Sequence, residues 1–148
     1  MNIEETEISD LGSVIELVAN VSNANILPHL SEQGRATFAS KVLPDVETAF
    51  DKERFQSLKV TKGNKLIGFG AIRDHEYITH LFVDTNYQGS GLGKLLLEHI
   101  LALSTAREVR LKSSVNAVTF YKSQGFVATD SETEVNGIRF VPMVWVRI

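Results

Sequence analysis

Residues 88 to 93 read Gln-Gly-Ser-Gly-Leu-Gly, with glycines at positions 89, 91 and 93 immediately before an apolar helical pattern. Glycine costs roughly 1 kcal/mol in a helix relative to alanine, so Gly91 and Gly93 in a first turn are locally unfavourable. They make sense if the backbone must come close to a partner. The free N–H groups of a helix's first turn, with about +0.5 of a charge from the macrodipole, form an anion site that suits a pyrophosphate. Two common phosphate loops do not fit. A Walker A loop needs G-x-x-x-x-G-K-[ST], but Leu95 follows Lys94 and Gln88 stands at the first glycine. A dinucleotide loop, G-x-G-x-x-G, needs glycine where Lys94 stands. On these residues alone, a glycine-rich tight turn without a ligand is the plain alternative.

Other chemistries are narrowed by composition. The chain has no cysteine, which removes disulfides, a thiolate nucleophile and a cysteine-ligated zinc. Its histidines (His29, His75, His80, His99) show no His-x-x-x-His spacing, so no metal site is read. A formal charge of -3 provides no footprint for nucleic acid or an anionic membrane. The acidic start, Asn2 to Glu7, is not a secretory signal, and no apolar run approaches the ~20 residues of a membrane span. The reading is a cytoplasmic protein. Apolar residues at 43% and charged residues at 22% suit a globular core, and 148 residues suit one domain, 1–148.

The elements that must position the glycine turn follow from hydrophobic spacing. Ile3 to Ile8 reads as a short strand. Ser9 or Asp10 caps a helix with the stripe Leu11, Val14, Ile15, Val18 and Val21. Asn20 to Leu30 reads as a loop, and Ser31 restarts a helix carrying Phe38, Val42 and Leu43 that Pro44 interrupts. Phe55–Thr61 and Lys65–Arg73 form a hairpin about Gly63-Asn64, followed by the strand Tyr77–Asp84. After the glycines, Leu92, Leu95, Leu96, His99, Ile100 and Leu103 recur at helical spacing. Val109–Ser113 is the next strand, so the unit around the glycines is a right-handed parallel crossover. Ala117–Gln124 is a short helix stopped by Gly125. Phe126–Val135 and Ile138–Val146 flank Asn136-Gly137, a strong two-residue hairpin signal. The sum is an α/β (α+β) domain: a meander, one crossover and a terminal hairpin.

Gln88-x-x-Gly91-x-Gly93 after Leu81-Phe82-Val83-Asp84 resembles the cofactor signature of the GNAT superfamily of N-acetyltransferases. Asn116-Ala-Val-Thr-Phe-Tyr121-Lys-Ser-Gln-Gly125-Phe126 resembles its second motif, at the expected separation. The likeness covers nearly the whole chain, more loosely over residues 1 to 55. It implies a mixed, mostly antiparallel sheet flanked by helices and splayed between strands 77–84 and 109–113, with acetyl-CoA as co-substrate and no metal. The backbone of Leu81, Phe82 and Val83 would pair with the pantetheine arm like an added strand. The amides of Gln88, Gly89, Ser90, Gly91, Leu92, Gly93 and Lys94 would hold the pyrophosphate. Asn116 would bond the pantetheine side, and Tyr121 would stand by the thioester sulfur as general acid. From its own type, Tyr121 could equally be a core aromatic.

The family attacks the thioester directly, in keeping with the missing cysteine. Positioning, a donor for the carbonyl, a base for the amine and an acid for the thiolate are then what catalysis needs. Family alignment makes Tyr77 and Thr79 substrate-facing, and neither is a good base. Strict alternation sets Tyr77, Thr79 and Leu81 on one face and Ile78, His80 and Phe82 on the other, so His80 faces away unless a bulge re-aims it. Glu76 lies just outside the strand. The base is therefore open, with a water chain as one route. Phe120 and Phe126 read as core, Trp145 as core or interface. Arg110, Lys112 and the acidic run Asp45, Glu47, Asp51 and Glu53 read as solvated charges. The acceptor is an amine on a small molecule or peptide. A homodimer stays open, as do a non-catalytic acyl-CoA-binding module and transfer of a longer acyl group.

Overall fold

A computed structural model describes residues 1–148. Its strands are β1 (Asn2–Glu5), β2 (Phe55–Lys62), β3 (Lys65–Arg73), β4 (Tyr77–Val83), β5 (Glu108–Ser114), β6 (Val127–Ala128), β7 (Thr133–Val135) and β8 (Ile138–Val146). Its helices are α1 (Leu11–Asn25), α2 (Glu32–Thr37), α3 (Leu92–Ala102) and α4 (Val118–Ser123). The sheet runs β1-β2-β3-β4-β5-β8-β6, with β7 also on β8. Every pairing is antiparallel except β4 with β5. That parallel pair meets at Tyr77 opposite Arg110, where the Arg110 amide donates to the Glu76 carbonyl at 2.9 Å. Beyond that point the two strands part, so the sheet is mixed, mostly antiparallel and splayed. No helix is long and apolar enough to cross a membrane.

Apolar clusters cover the two faces. On one, Leu92, Leu96, Leu97, Ile100 and Leu101 of α3 pack on Val60, Ile67, Ile78 and Val83. On the other, Val14, Leu17, Val18 and Val21 of α1 pack on Phe69 and Ala71, together with Val46 and Ala49. Gly68 and Gly70 let α3 sit close. A Cβ at Gly70 would meet the Ile100 side chain at 3.1 Å.

Several sequence expectations shift. The first strand ends at Glu5, because Thr6 already turns to Ser57 and the Glu7 amide donates to Asp10 Oδ2 at 2.8 Å. Asp10 thus closes the turn before α1 and holds Lys59 Nζ at 3.0 Å. Burial pushes the Asp10 carboxyl up, but the Glu7 amide and the Lys59 ammonium together outweigh it and hold the carboxyl below its ordinary value. The first helix runs on to Asn25, through residues expected as loop, with Ile15 exposed and Leu17 in its place. Ser31 caps α2, accepting from the Gly34 amide at 3.1 Å. The chain then continues as a π turn, Phe38–Val42, and a 3-10 stretch, Pro44–Phe50. In α3 the buried stripe takes Leu97 and Leu101, while Leu95 and His99 face outward.

The terminal hairpin forms as expected. Val135 pairs with Ile138, and Asn136 and Gly137 both have positive φ (51° and 83°), a type I′ turn. The stretch expected as one strand, Phe126–Val135, is broken into β6 and β7 by a turn through residues 129–132. The hairpin tip docks on α2: Thr37 Oγ1 donates to the Asn136 carbonyl at 2.7 Å, and Gly34 lies backbone to backbone on Gly137. Trp145 is half-buried over Gly125, with the Arg147 guanidinium 4.8 Å from its ring centre.

Candidate active site

Where β4 and β5 separate, the sheet opens a cleft of about 410 Å³. One wall is the free edge of β4, Leu81 to Val83. The opposite wall is Ser114, Asn116, Ala117, Phe120 and Tyr121, and the floor is Gln88, Gly89, Gly91, Gly93 and Lys94. Strand pairing explains the gap. β3 bonds β4 along its other edge, from Tyr77 to Val83, whereas β5 meets it only at Tyr77. The β4 edge beyond that point has no strand partner.

The glycines carry the turn in distinct ways. Gly89 and Gly91 have φ of 79° and 87°, a region L side chains rarely adopt, and Gly91 is the N-cap of α3. No atom lies within 4 Å of a Cβ built on either, so the space before them is open. Gly93 has ordinary backbone, and a Cβ there would meet the Phe120 ring at 3.5 Å and fill the cleft. The helix therefore presents its first-turn amides to an open cradle, which fits a pyrophosphate. Ser90 and Leu92, expected at the site, do not line the cleft. Ser90 Oγ donates to the Tyr87 carbonyl, and the Leu92 side chain is in the α3 core.

Gln88 does more than lend an amide. Its Nε2 donates to the Val83 carbonyl at 3.0 Å, and its Oε1 accepts from Asn25 Nδ2 at 3.0 Å. Val21, Asn25 and Ile26 complete the cleft wall. The sequence puts Val21 on the helical stripe but reads Asn20 to Leu30 as loop, which leaves Asn25 and Ile26 away from the cleft. The available signal was the i, i+4 series Leu17, Val21, Asn25, which carries the inner face of α1 to the cleft.

Tyr121 is 8% exposed and lines the cleft. Its ring packs edge-on against Phe120 and Phe126, at 5.2 and 5.5 Å between centres. Burial alone pushes its phenol well above the usual range, with no charged or hydrogen-bonding partner at work. The hydroxyl is thus protonated and free to donate into the cleft. Phe120, expected as core, is half-buried and forms cleft wall.

Strand β4 departs from alternation. Ala71 pairs with His80 and Ile72 with Ile78, so Thr79 is an extra residue and the phase flips across it. Ile78 joins Val83 on the α3 face, while the His80 ring packs tilted against Phe69 and Phe82 on the α1 face, at 5.7 and 6.2 Å between centres. The grouping of Ile78 with His80 and Phe82 is therefore wrong, and the bulge is the reason. Tyr77 and Thr79 do not line the cleft. Arg73 covers the Tyr77 ring at 4.8 Å, and Thr79 Oγ1 contacts His80 Nδ1 at 2.8 Å. Burial holds the His80 imidazole down at about 4, against a small opposing pull from Asp45.

Comparison with known proteins agrees with this geometry. Residues 26–147 match the model of the acetyltransferase (GNAT) domain family. A peptidyl-lysine N-acetyltransferase, YjaB of Salmonella typhimurium, is 35% identical over 71 residues, which is 47% of this chain and 48% of that protein. The match thus spans about half the length of that relative. The glucosamine 6-phosphate N-acetyltransferase of Trypanosoma brucei brucei is 26% identical over 92% of this chain and 95% of its own. Among solved structures, the PaiA N-acetyltransferase of Thermoplasma acidophilum in complex with coenzyme A shares the fold, with a TM-score of 0.74, 24% identity and coverage of 99% and 100%. With its family model matched over most of the chain and its glycine turn and Tyr121 facing one cleft, the chain belongs to the GNAT acetyltransferase family.

Proposed function

We propose that the protein transfers an acetyl group from acetyl-CoA to a primary amine by direct attack on the thioester. The observation that carries this is the convergence of Gly89, Gly91 and Gly93 with Tyr121 on a single cleft along an unpaired strand edge. First-turn amides of α3 and Lys94 suit the pyrophosphate, and Asn116 suits the pantetheine side. The β4 edge at Leu81 to Val83 accepts the extended arm like an added strand, with the Val83 carbonyl already held by Gln88. An amine nitrogen attacks the carbonyl carbon, the carbon–sulfur bond breaks, and the departing sulfur takes the Tyr121 hydroxyl proton; the nitrogen's surplus proton leaves to solvent, and Tyr121 regains one from solvent. A thiolate of ordinary pKa near ~8.5 leaves more readily when protonated.

The relatives support an amine acceptor. By their names they act on peptidyl lysine and on glucosamine 6-phosphate, both of which present a primary amine. The test is a panel of primary amines, small molecules and lysine peptides, incubated with acetyl-CoA while released thiol is followed. Amine-dependent thiol release with matching acetylated product is expected. Tight acetyl-CoA binding with no amine turned over would favour a non-catalytic acyl-CoA-binding module.

A further inference from the structure

The sheet is covered unevenly. Its α3 face buries Val109 and Leu111 of β5 and Met143 of β8, with Val141 and Trp145 packed beside them. On the other face, the apolar cluster under α1 contains no residue of β5 to β8, and α2 meets that region at the hairpin tip. We propose that this open face of β5, β8, β6 and β7 binds a second copy of the chain, giving a two-fold dimer whose axis runs along β8.

Strand alternation fixes what the face carries. Arg110 and Lys112 of β5 stand opposite Val144 and Pro142 of β8, and Ser114 stands opposite Phe140. Their neighbours Val109 and Leu111 point into the α3 core, so these side chains point the other way. Beyond β8, Val127 pairs with Val144 and Val135 with Ile138, which adds both valines to the same face. Val127, Val135 and Val146 are 64%, 52% and 45% exposed. The result is an apolar centre along β8 with a polar border on each side. Faces of this kind pack on a second sheet in two-layer folds.

The borders decide which occupant fits. Lys112 lies over the Phe140 ring at 5.0 Å and pairs with no carboxylate, whereas Arg110 is taken by Glu108 at 2.7 Å. On the opposite border Asp130 pairs with no cation; its Oδ1 accepts the Ser131 amide at 2.8 Å. Both flank the same residue. Lys112 lies opposite Pro142, and the Thr129 amide donates to the Pro142 carbonyl at 2.9 Å, which sets Asp130 at that level. One chain thus holds a spare cation and a spare anion on the two sides of Pro142.

A two-fold axis along β8 lays this face on its own copy and exchanges the two borders without moving them along the strand. Lys112 of each chain then faces the partner's Asp130, and the pair forms twice. The apolar centres meet between them, and the two β8 strands run in line, as strands do in aligned sheet packing. A partner bearing charge of one sign would satisfy one border and oppose the other, whereas a second copy satisfies both. Ser114 ends the β5 row and lines the cleft, so the interface reaches the cleft's rim.

Light scattering of the full chain over a dilution series tests this, and it needs no substrate, so its result is independent of the acetyltransferase reading. A dimer is expected, with a dissociation constant in the micromolar range or below. Val127→Glu, Lys112→Glu and Asp130→Lys each alter an exposed side chain. Each should raise that constant at least about tenfold while circular dichroism stays unchanged. Mixing Lys112→Glu with Asp130→Lys should restore a dimer, because both contacts then join opposite charges. The double variant carrying both changes in one chain should also dimerise. Damage to the fold would be rescued by neither. Wild type that stays monomeric at about 100 μM overturns the proposal, since an interface of standard size holds at that concentration. A dimer that none of the three variants weakens, or weakened variants that mixing does not restore, overturns it as well.

Discussion

Asn25, the last residue of α1, donates its side-chain amide to Gln88 at the start of the glycine turn, and the Gln88 amide in turn caps the Val83 carbonyl. One glutamine therefore ties the first helix, the glycine turn and the free edge of β4 together around the cleft. The glycines lower the turn's intrinsic rigidity, and this side-chain link restores it.

Asn25→Ala should loosen that arrangement. A partly exposed hydrogen bond is worth about 0.5–1.5 kcal/mol, so coenzyme A affinity should drop roughly two- to tenfold. The melting temperature should barely move, because neither side chain is core. Calorimetry with coenzyme A checks it, and an unchanged affinity would make the link incidental.

Gly34→Ala reverses the sign that helix propensity predicts. Alanine favours a helix by roughly 1 kcal/mol, yet a Cβ here would run into the Gly137 carbonyl at the hairpin tip. Overpacking of this kind costs about 1–3 kcal/mol. Urea unfolding should show a net loss of stability. A gain would mean that the hairpin does not rest on α2.

Acid stability should carry the mark of His80. Its folded-state value of about 4 lies below the ordinary 6.5, so between those values the unfolded chain binds a proton that the folded chain does not. Stability is then fully present above pH 6.5 and falls as pH drops toward 4, by roughly 1.4 kcal/mol per unit and about 3 kcal/mol in all. His80→Phe should flatten that slope in urea titrations at stepped pH. An unchanged slope would assign it to other groups.

Tyr121→Phe keeps the ring among Phe120 and Phe126 and deletes only the hydroxyl. The fold and acetyl-CoA affinity should survive, while turnover falls on the order of 10²–10⁴-fold. The loss should appear in kcat rather than in the amine's Michaelis constant. Near-normal turnover, with chemistry shown to be rate-limiting, would withdraw the role of proton donor.

The elements that the sequence made legible are those set by local backbone chemistry. Asn136-Gly137 needs positive φ at both residues and forms the turn that this implies. The glycine turn and Gly125 likewise announce a helix start and a helix stop. What stayed hidden depends on partners distant in the chain. The bulge at Thr79 is a property of the β3–β4 register; strict alternation groups His80 with Ile78, and the bulge, open in the sequence only as an exception, separates them. The last turn of α1, rich in asparagine, is helical because the apolar face that runs through Leu17, Val18 and Val21 is buried, against its own weak propensity. Leu97 and Leu101 displaced Leu95 and His99 because several α3 registers satisfy the same spacing until the sheet selects one.

The claim on which the account turns is that acetyl-CoA binds at the glycine turn. Calorimetric titration of acetyl-CoA into wild type, Gly91→Ala and Gly91→Asp tests it most directly. Either side chain is strained on the left-handed backbone that Gly91 adopts (φ 87°), but its Cβ would meet no atom within 4 Å on the open surface of the turn. The fold should therefore survive in both variants, which circular dichroism would verify. Alanine reports the backbone cost alone, and aspartate adds a negative charge where the pyrophosphate sits. Affinity should weaken modestly in Gly91→Ala and by at least ten times more in Gly91→Asp. Wild-type affinity in a folded Gly91→Asp would contradict the account.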